Sequence, residues 1–247
     1  MTVIGIIPAR YKSSRFPAKM LAPILGKSLL QRTYECAKKS KTLHRLVIAV
    51  DDERVFEHAK SFGAECVMTS VDCLNGTVRL VDAIQGNPEL QKADIYVNIQ
   101  GDRPCLCPYS IDKIVLALTD NPHDVMATPI TQIVDLNEIE NPANVKCVLD
   151  KNGYALYFSR RPIPFSKEAA FCYKHVGIYA FRKDFLMQYV ELADTPLQLI
   201  EDLEQLKVLE HGFRIRTVEI GEEDLSVDYP DDIYKVEKWL CKQNISS

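Results

Sequence analysis

Apolar runs alternate with helical periods through the first half of the chain, and that alternation is the tightest constraint on its fold. Val3–Ile7 reads as a buried strand, and Leu29, Leu30, Thr33, Tyr34 and Ala37 follow at helical spacing. Arg45–Val50 is a second strand, and Asp52 is placed to cap a helix that ends near Gly63. Glu65–Met68 is a third strand, a polar loop leads to a helix at Gly76-Thr77, and Asp94–Ile99 is a fourth strand. Successive strands joined by helices run parallel in one sheet, so the pattern predicts an α/β fold with a mostly parallel sheet flanked by helices.

The second half has a different period. Lys146–Asp150, the turn residues Asn152-Gly153 and Ala155–Phe158 carry a hairpin signature. Phe171–Phe181 is a strand-like run, and Leu199, Leu203, Leu206 and Leu209 form a helical stripe expected to face the core. Without repeats or a Gly/Ser linker, the expectation is one domain. Residues 1–125 and 195–247 would form its core, with an antiparallel section inserted at about 126–194.

Charge is unevenly placed. Six bases (Arg10, Lys12, Arg15, Lys19, Lys27, Arg32) precede the first acid, Glu35. The other 213 residues hold 24 bases against all 34 acids. A mostly acidic chain with a basic start disfavours general nucleic-acid binding and points to a local anion site. No apolar stretch approaches the ~18 residues of a membrane span, and the N-terminus lacks a basic n-region, so no membrane segment or signal peptide is expected. The eight cysteines have no zinc-like spacing, which favours reduced thiols and a cytoplasmic location.

Three segments carry the chemistry. Pro8-Ala9-Arg10-Tyr11-Lys12-Ser13-Ser14-Arg15-Phe16-Pro17-Ala18-Lys19 leaves the carboxyl end of the first strand, where open α/β sheets bind ligands. Its four bases and two serines supply charge and donors for a triphosphate, although the glycines of known phosphate loops are absent. A solvated basic loop is the alternative. Asn98-Ile99-Gln100-Gly101-Asp102 closes the fourth strand and puts a carboxylate where Mg²⁺ can be held, or else makes an ordinary turn. Asp228 precedes Pro230 and a helix reaching Trp239, so taken alone it reads as a helix cap.

Taken in order, these segments resemble the CMP-Kdo synthetases, the 3-deoxy-manno-octulosonate cytidylyltransferases of lipopolysaccharide assembly. The resemblance rests on them together with Gly76-Thr77-Val78-Arg79, Ala155-Leu156-Tyr157-Phe158-Ser159-Arg160, Lys174-His175-Val176-Gly177-Ile178-Tyr179, Leu203-Glu204-Gln205-Leu206 and Val227-Asp228-Tyr229-Pro230. It implies a Rossmann-like nucleotidyltransferase fold with an inserted antiparallel dimerisation section, and a homodimer. It implies that CMP passes from CTP to the 2-hydroxyl of Kdo with Mg²⁺ as cofactor. Arg10, Lys19 and Asp102 would be catalytic. Ala9, Arg10, Ser13, Lys19, Asn75, Gly76, Thr77, Arg79 and Gln100 would bind nucleotide. Asp102 and Asp228 would hold metal, and Arg160, His175, Tyr179, Glu204 and Gln205 would bind the sugar acid.

Taken residue by residue, His175 reads as a packed histidine, Tyr179 as core and Glu204 as a solvated helix face; the resemblance moves them to the site. Five positions depart from the family pattern: Ala18 stands for glycine, Met20 for proline, Val78 and Arg103 for acids, and Gln198 for another acid. An alanine in a glycine-only conformation at 18 would be strained. An 8-amino-Kdo or sialic acid acceptor, and a CTP-binding homologue with reduced catalysis, are the competing readings.

Overall fold

The structure, a computed structural model, describes residues 1–13, 15–165, 172–221 and 225–245. Ser14 and Phe171 lie outside the described residues. The chain divides into two compact units, Met1–Asp112 with Asp224–Ser247, and Lys113–Glu223.

The first unit contains β1 (Val3–Ala9), β2 (Pro23–Ile24), β3 (Lys27–Ser28), β4 (Arg45–Val50), β5 (Glu65–Met68) and β6 (Ile95–Asn98). Four of these form a parallel sheet in the order β5-β4-β1-β6. All seven residues of β1 are buried, which is why its sequence is a continuous apolar run rather than an alternation. Ile6 and Ile7 are fully enclosed, and each such side chain contributes about 1.5–3 kcal/mol on burial.

Helices α1 (Leu29–Ala37), α2 (Glu53–Ser61) and α3 (Gly76–Gln85) begin at polar caps: Ser28 accepts from the Gln31 N–H, Asp52 from Arg54, and Asn75 from Val78. The five residues expected on the first helix face are the ones α1 buries. Ile24, Leu29, Cys105, Val227 and Val236 form a buried cluster with Phe16 and Trp239 packed against it. Phe16 in the basic loop and Val227, next to Asp228, are thus anchored in one apolar cluster. Helix α4 (Pro108–Asp120) begins in this unit, and a helix over Asp232–Ile245 ends the described chain.

The second unit contains β7 (Met126–Gln132), α5 (Leu136–Glu140), β8 (Lys146–Leu149), β9 (Ala155–Ser159), β10 (Tyr173–His175), β11 (Tyr179–Arg182), α6 (Lys183–Glu191), α7 (Pro196–Glu201), α8 (Glu204–Glu210) and β12 (Ile215–Glu219). Strand β7 pairs antiparallel with β11 near its start and with β10 near its end, and parallel with β12. The expected hairpin is β8–β9, closed at Gly153 with φ 79°.

Two expectations change. The run ending at Phe181 is two strands, because the chain turns at Val176–Ile178, where the Ile178 N–H meets the Val176 carbonyl at 2.7 Å. The leucine stripe is two helices, broken at Asp202 with φ 52° and ψ 54°. Leu203 and Leu206 stay buried, but the break takes Leu199 off that face and leaves it 64% exposed.

Candidate active site

The basic loop starts where β1 stops. Arg10 is exposed and has no hydrogen-bond or ion-pair partner among the described residues, so its guanidinium is free to take an anion. Ala9, the last residue of β1, is buried. Ser13 Oγ accepts from the Phe16 N–H at 3.4 Å, turning the chain inward. Ala18 adopts φ 54° and ψ 28°, the left-handed conformation that favours glycine. A single 3-10 turn, Lys19–Leu21, follows.

Lys19 is only 7% exposed. Its ammonium donates to Asp102 Oδ2 at 2.8 Å and to the Val227 carbonyl at 2.8 Å. An ammonium carries three donors, so one remains for a ligand. The Val227 N–H donates to the Asp102 carbonyl at 2.9 Å, pairing the two acid-bearing segments by their backbones. Asp228 Oδ1 accepts from Arg15 Nη2 at 2.7 Å. The helix-cap reading of Asp228 does not hold: Asp232 Oδ2 accepts from the N–H groups of Asp228 and Tyr229 instead.

The segment after Asn75 closes on the ends of β1 and β6. A side chain at Gly76 would meet Gln100 Nε2 at 3.2 Å and Pro8 Cγ at 3.2 Å. Asn98, fully buried, donates from Nδ2 to Thr77 Oγ1 at 3.0 Å and accepts from Gln100 Nε2 at 3.3 Å. That contact turns Gln100 Oε1 into an available acceptor. Arg79 is buried, and its donors go to Thr69 Oγ1, the Ser70 carbonyl and Asp51 Oδ2. Its guanidinium is therefore built into the scaffold. Asp51 and the Arg15–Asp228 and Lys19–Val227 contacts had no sequence signal of their own, because each depends on a partner distant in sequence.

In the second unit, His175, Tyr179 and Gln205 come together. The His175 ring lies between Phe158 and Tyr179, with centroids 5.1 and 5.4 Å away. His175 Nε2 is 2.9 Å from Thr128 Oγ1, whose hydroxyl is also 2.8 Å from the Ile178 carbonyl. With the threonine donating to that carbonyl, Nε2 carries the imidazole proton, a tautomer inferred from the network. The Tyr179 hydroxyl donates to Gln205 Oε1 at 3.2 Å. Gln205 is 2% exposed, and its Nε2 has no partner among the described residues. A buried amide donor left unpaired costs about 1–3 kcal/mol, which marks it as a place for a ligand acceptor.

Glu204 opens α8 beside Gln205. Arg160 sits at the end of β9 with Nε on the Glu201 carbonyl at 2.8 Å and Nη2 on the Asp202 carbonyl at 3.0 Å, holding the end of α7. Glu201 takes the Ser159 hydroxyl at 2.6 Å and the Arg160 N–H at 2.9 Å. Burial works against its charge, but these bonds outweigh it and hold the carboxyl below its ordinary range. Gln198 acts locally, completing a capping box with Thr195 at the start of α7. Lys146 is fully buried, with its ammonium on the carbonyls of Asn141 and Arg160; burial pushes its pKa down.

The donor set fits a magnesium ion. Mg²⁺ takes one or two protein carboxylates and completes its shell with water and phosphate oxygens. Asp102 and Asp228 provide two such groups, 24% and 30% exposed, each with one oxygen outside its salt bridge. Among the described residues no group of three or more His, Cys, Asp or Glu could hold a metal, so a protein-only cage is not built.

The chain is similar to known proteins over nearly its whole length. A family model described as cytidylyltransferase matches residues 4–219 and so runs through both units. The 3-deoxy-manno-octulosonate cytidylyltransferase of Protochlamydia amoebophila (strain UWE25) is 51% identical, over 98% of this chain and 95% of the relative. That of Chlamydia trachomatis serovar L2 is 51% identical over 96% and 93%. A solved CMP:2-keto-3-deoxy-manno-octonic acid synthetase complexed with CTP superposes with a TM-score of 0.92 at 36% identity, covering 98% of this chain and all of that one. The chain is thus a nucleotidyltransferase and a member of the cytidylyltransferase family, among the 3-deoxy-manno-octulosonate cytidylyltransferases.

Proposed function

We propose that this enzyme transfers CMP from CTP to the 2-hydroxyl of Kdo, releasing diphosphate and supplying CMP-Kdo for lipopolysaccharide assembly. The observation that carries the proposal is the junction at Lys19: one buried ammonium bridges Asp102 and the residue preceding Asp228 and keeps a donor free. Such transfers need positioning and charge neutralisation more than covalent help. Arg10 and Lys19 bind the triphosphate, and Lys19 stabilises the charge that builds on the departing diphosphate. Gln100 Oε1 offers an acceptor to the exocyclic amine of cytosine, a donor that uracil lacks.

Asp102 and Asp228 would hold Mg²⁺, which would supply charge neutralisation and polarisation of the phosphate. In the second unit, Gln205 Nε2 offers a hydrogen bond to the sugar acid beside Tyr179 and His175. Arg160 contributes a cation there, while its carbonyl contacts fix its position.

The proposal extends to a cytoplasmic homodimer. Eight free thiols fit a reducing compartment. Leu156 on β9, an end strand of its sheet, and Leu199 and Ile200 on α7 are 61%, 64% and 78% exposed, an apolar surface that a second copy would cover.

A panel of Kdo, 8-amino-Kdo and a sialic acid, each with CTP and Mg²⁺, tests the activity by diphosphate release. Fastest release with Kdo is the expected result. Preference for another sugar acid reassigns the acceptor, and CTP binding without release with any of them means that Val78 and Arg103 mark a chain that binds without turning over.

A further inference from the structure

Tyr11, the residue after Arg10, is gripped from two directions by the consecutive aspartates that follow β4. Its N–H donates to Asp51 Oδ1 at 2.9 Å. Its ring lies under the Arg54 guanidinium, whose central carbon is 3.6 Å from the ring centroid. Arg54 is itself held by a two-pronged contact with Asp52, Nε to Oδ1 at 2.8 Å and Nη2 to Oδ2 at 2.7 Å. That contact keeps Asp52 ionised, with its pKa lowered to about 2. Asp51 Oδ2 accepts from Arg79 Nη2 at 3.0 Å in a pair whose side chains are 3% and 11% exposed.

The charges explain why both arginines are present. A bare carboxylate at the root of an anion-binding loop would repel phosphate. Arg79 neutralises Asp51, and Arg54 neutralises Asp52, so the two acids can grip the loop at no net charge. What they fix is the peptide between Arg10 and Tyr11. Arg10 has no partner among the described residues, so its backbone is what the clamp sets in advance, and preset geometry raises affinity by reducing the ordering left for binding.

We propose that Asp51, Asp52, Arg54 and Arg79 are positioning residues that lock Tyr11 and thereby preset Arg10 for the triphosphate of CTP. The inference rests on the assignment of the loop to the triphosphate.

Asp51→Ala would strand the buried Arg79 charge, so the test uses the exposed arm of the clamp. Arg54→Ala is expected to raise both the Kd of CTP by calorimetry and the KM for CTP roughly two- to five-fold. The KM for Kdo, turnover at saturating CTP and thermal stability stay unchanged. Tyr11→Leu removes the same stack but leaves Asp52 paired with Arg54, so its rise is no larger, and the double variant matches Arg54→Ala, because the stack needs both groups. Tyr11→Phe keeps the ring and restores wild-type CTP affinity. Unaltered CTP affinity in Arg54→Ala, multiplied effects in the double variant, or an equal rise in both KM values each overturn the clamp. Wild-type protein that binds no CTP overturns the loop assignment first, and the clamp with it.

Discussion

Lys19 Nζ lies 2.8 Å from Asp102 Oδ2 in a pair whose side chains are 9% and 24% exposed. The same ammonium holds the Val227 carbonyl, so one cation ties the start of the chain to both carboxylate segments. Lys19→Ala removes the charge that meets the leaving diphosphate. Turnover is expected to fall by about 10²–10³, measured as diphosphate release. Near-normal turnover takes Lys19 out of the mechanism.

Asp102→Asn keeps the side-chain shape and removes the charge that a hard cation needs. The Mg²⁺ concentration for half-maximal activity is expected to rise about ten-fold. An unchanged metal titration excludes Asp102 as a ligand.

Gln205→Leu deletes the buried donor that has no partner among the described residues. The KM for Kdo is expected to rise about ten-fold with the KM for CTP unchanged, the mark of a lost acceptor contact. If the two KM values rise together, Gln205 supports the fold rather than the acceptor.

Glu201 has its folded pKa below 4.5, so its contribution to stability is present above that value and is lost as pH falls through the folded pKa. Glu201→Gln is expected to cost about 1–2 kcal/mol at neutral pH. Urea midpoints of variant and wild type should converge below pH 4.5. A constant gap down to strong acid shows that the charge is not what matters.

Ile200→Asp and Leu199→Asp place charges on the exposed apolar face of α7. Analytical ultracentrifugation is expected to show dimer for the wild type and monomer for the double variant at micromolar concentration. A monomeric wild type removes the dimer from the proposal.

Much of the fold was legible where one segment contained its own explanation. Strand β1 is an unbroken apolar run, α2 starts at the Asp52 cap, and the β8–β9 turn carries Asn152-Gly153. Strand β7 had no clear signal because Pro129 sits inside it, a residue that argues against a central strand. The leucine stripe misled because periodicity does not register a left-handed residue such as Asp202.

The site divides in the same way. Lys19, Asp102 and Asp228 could be named from motifs, and the structure brings Lys19 to Asp102 and to Val227, the neighbour of Asp228. The Arg15–Asp228 contact joins residues 213 positions apart, and nothing local to either predicts it. Arg79 was readable as a site residue, but its burial against Asp51 was not.

The two compact units partition the proposed roles without interleaving. Every residue proposed for nucleotide or metal, from Ala9 to Asp102 and then Asp228, lies outside 113–223, and every residue proposed for the acceptor, from Arg160 to Gln205, lies within it. In hereditary terms, acceptor preference is written in one uninterrupted stretch of coding sequence. A recombination event with two breakpoints could exchange that stretch and leave the donor chemistry to its descendants intact.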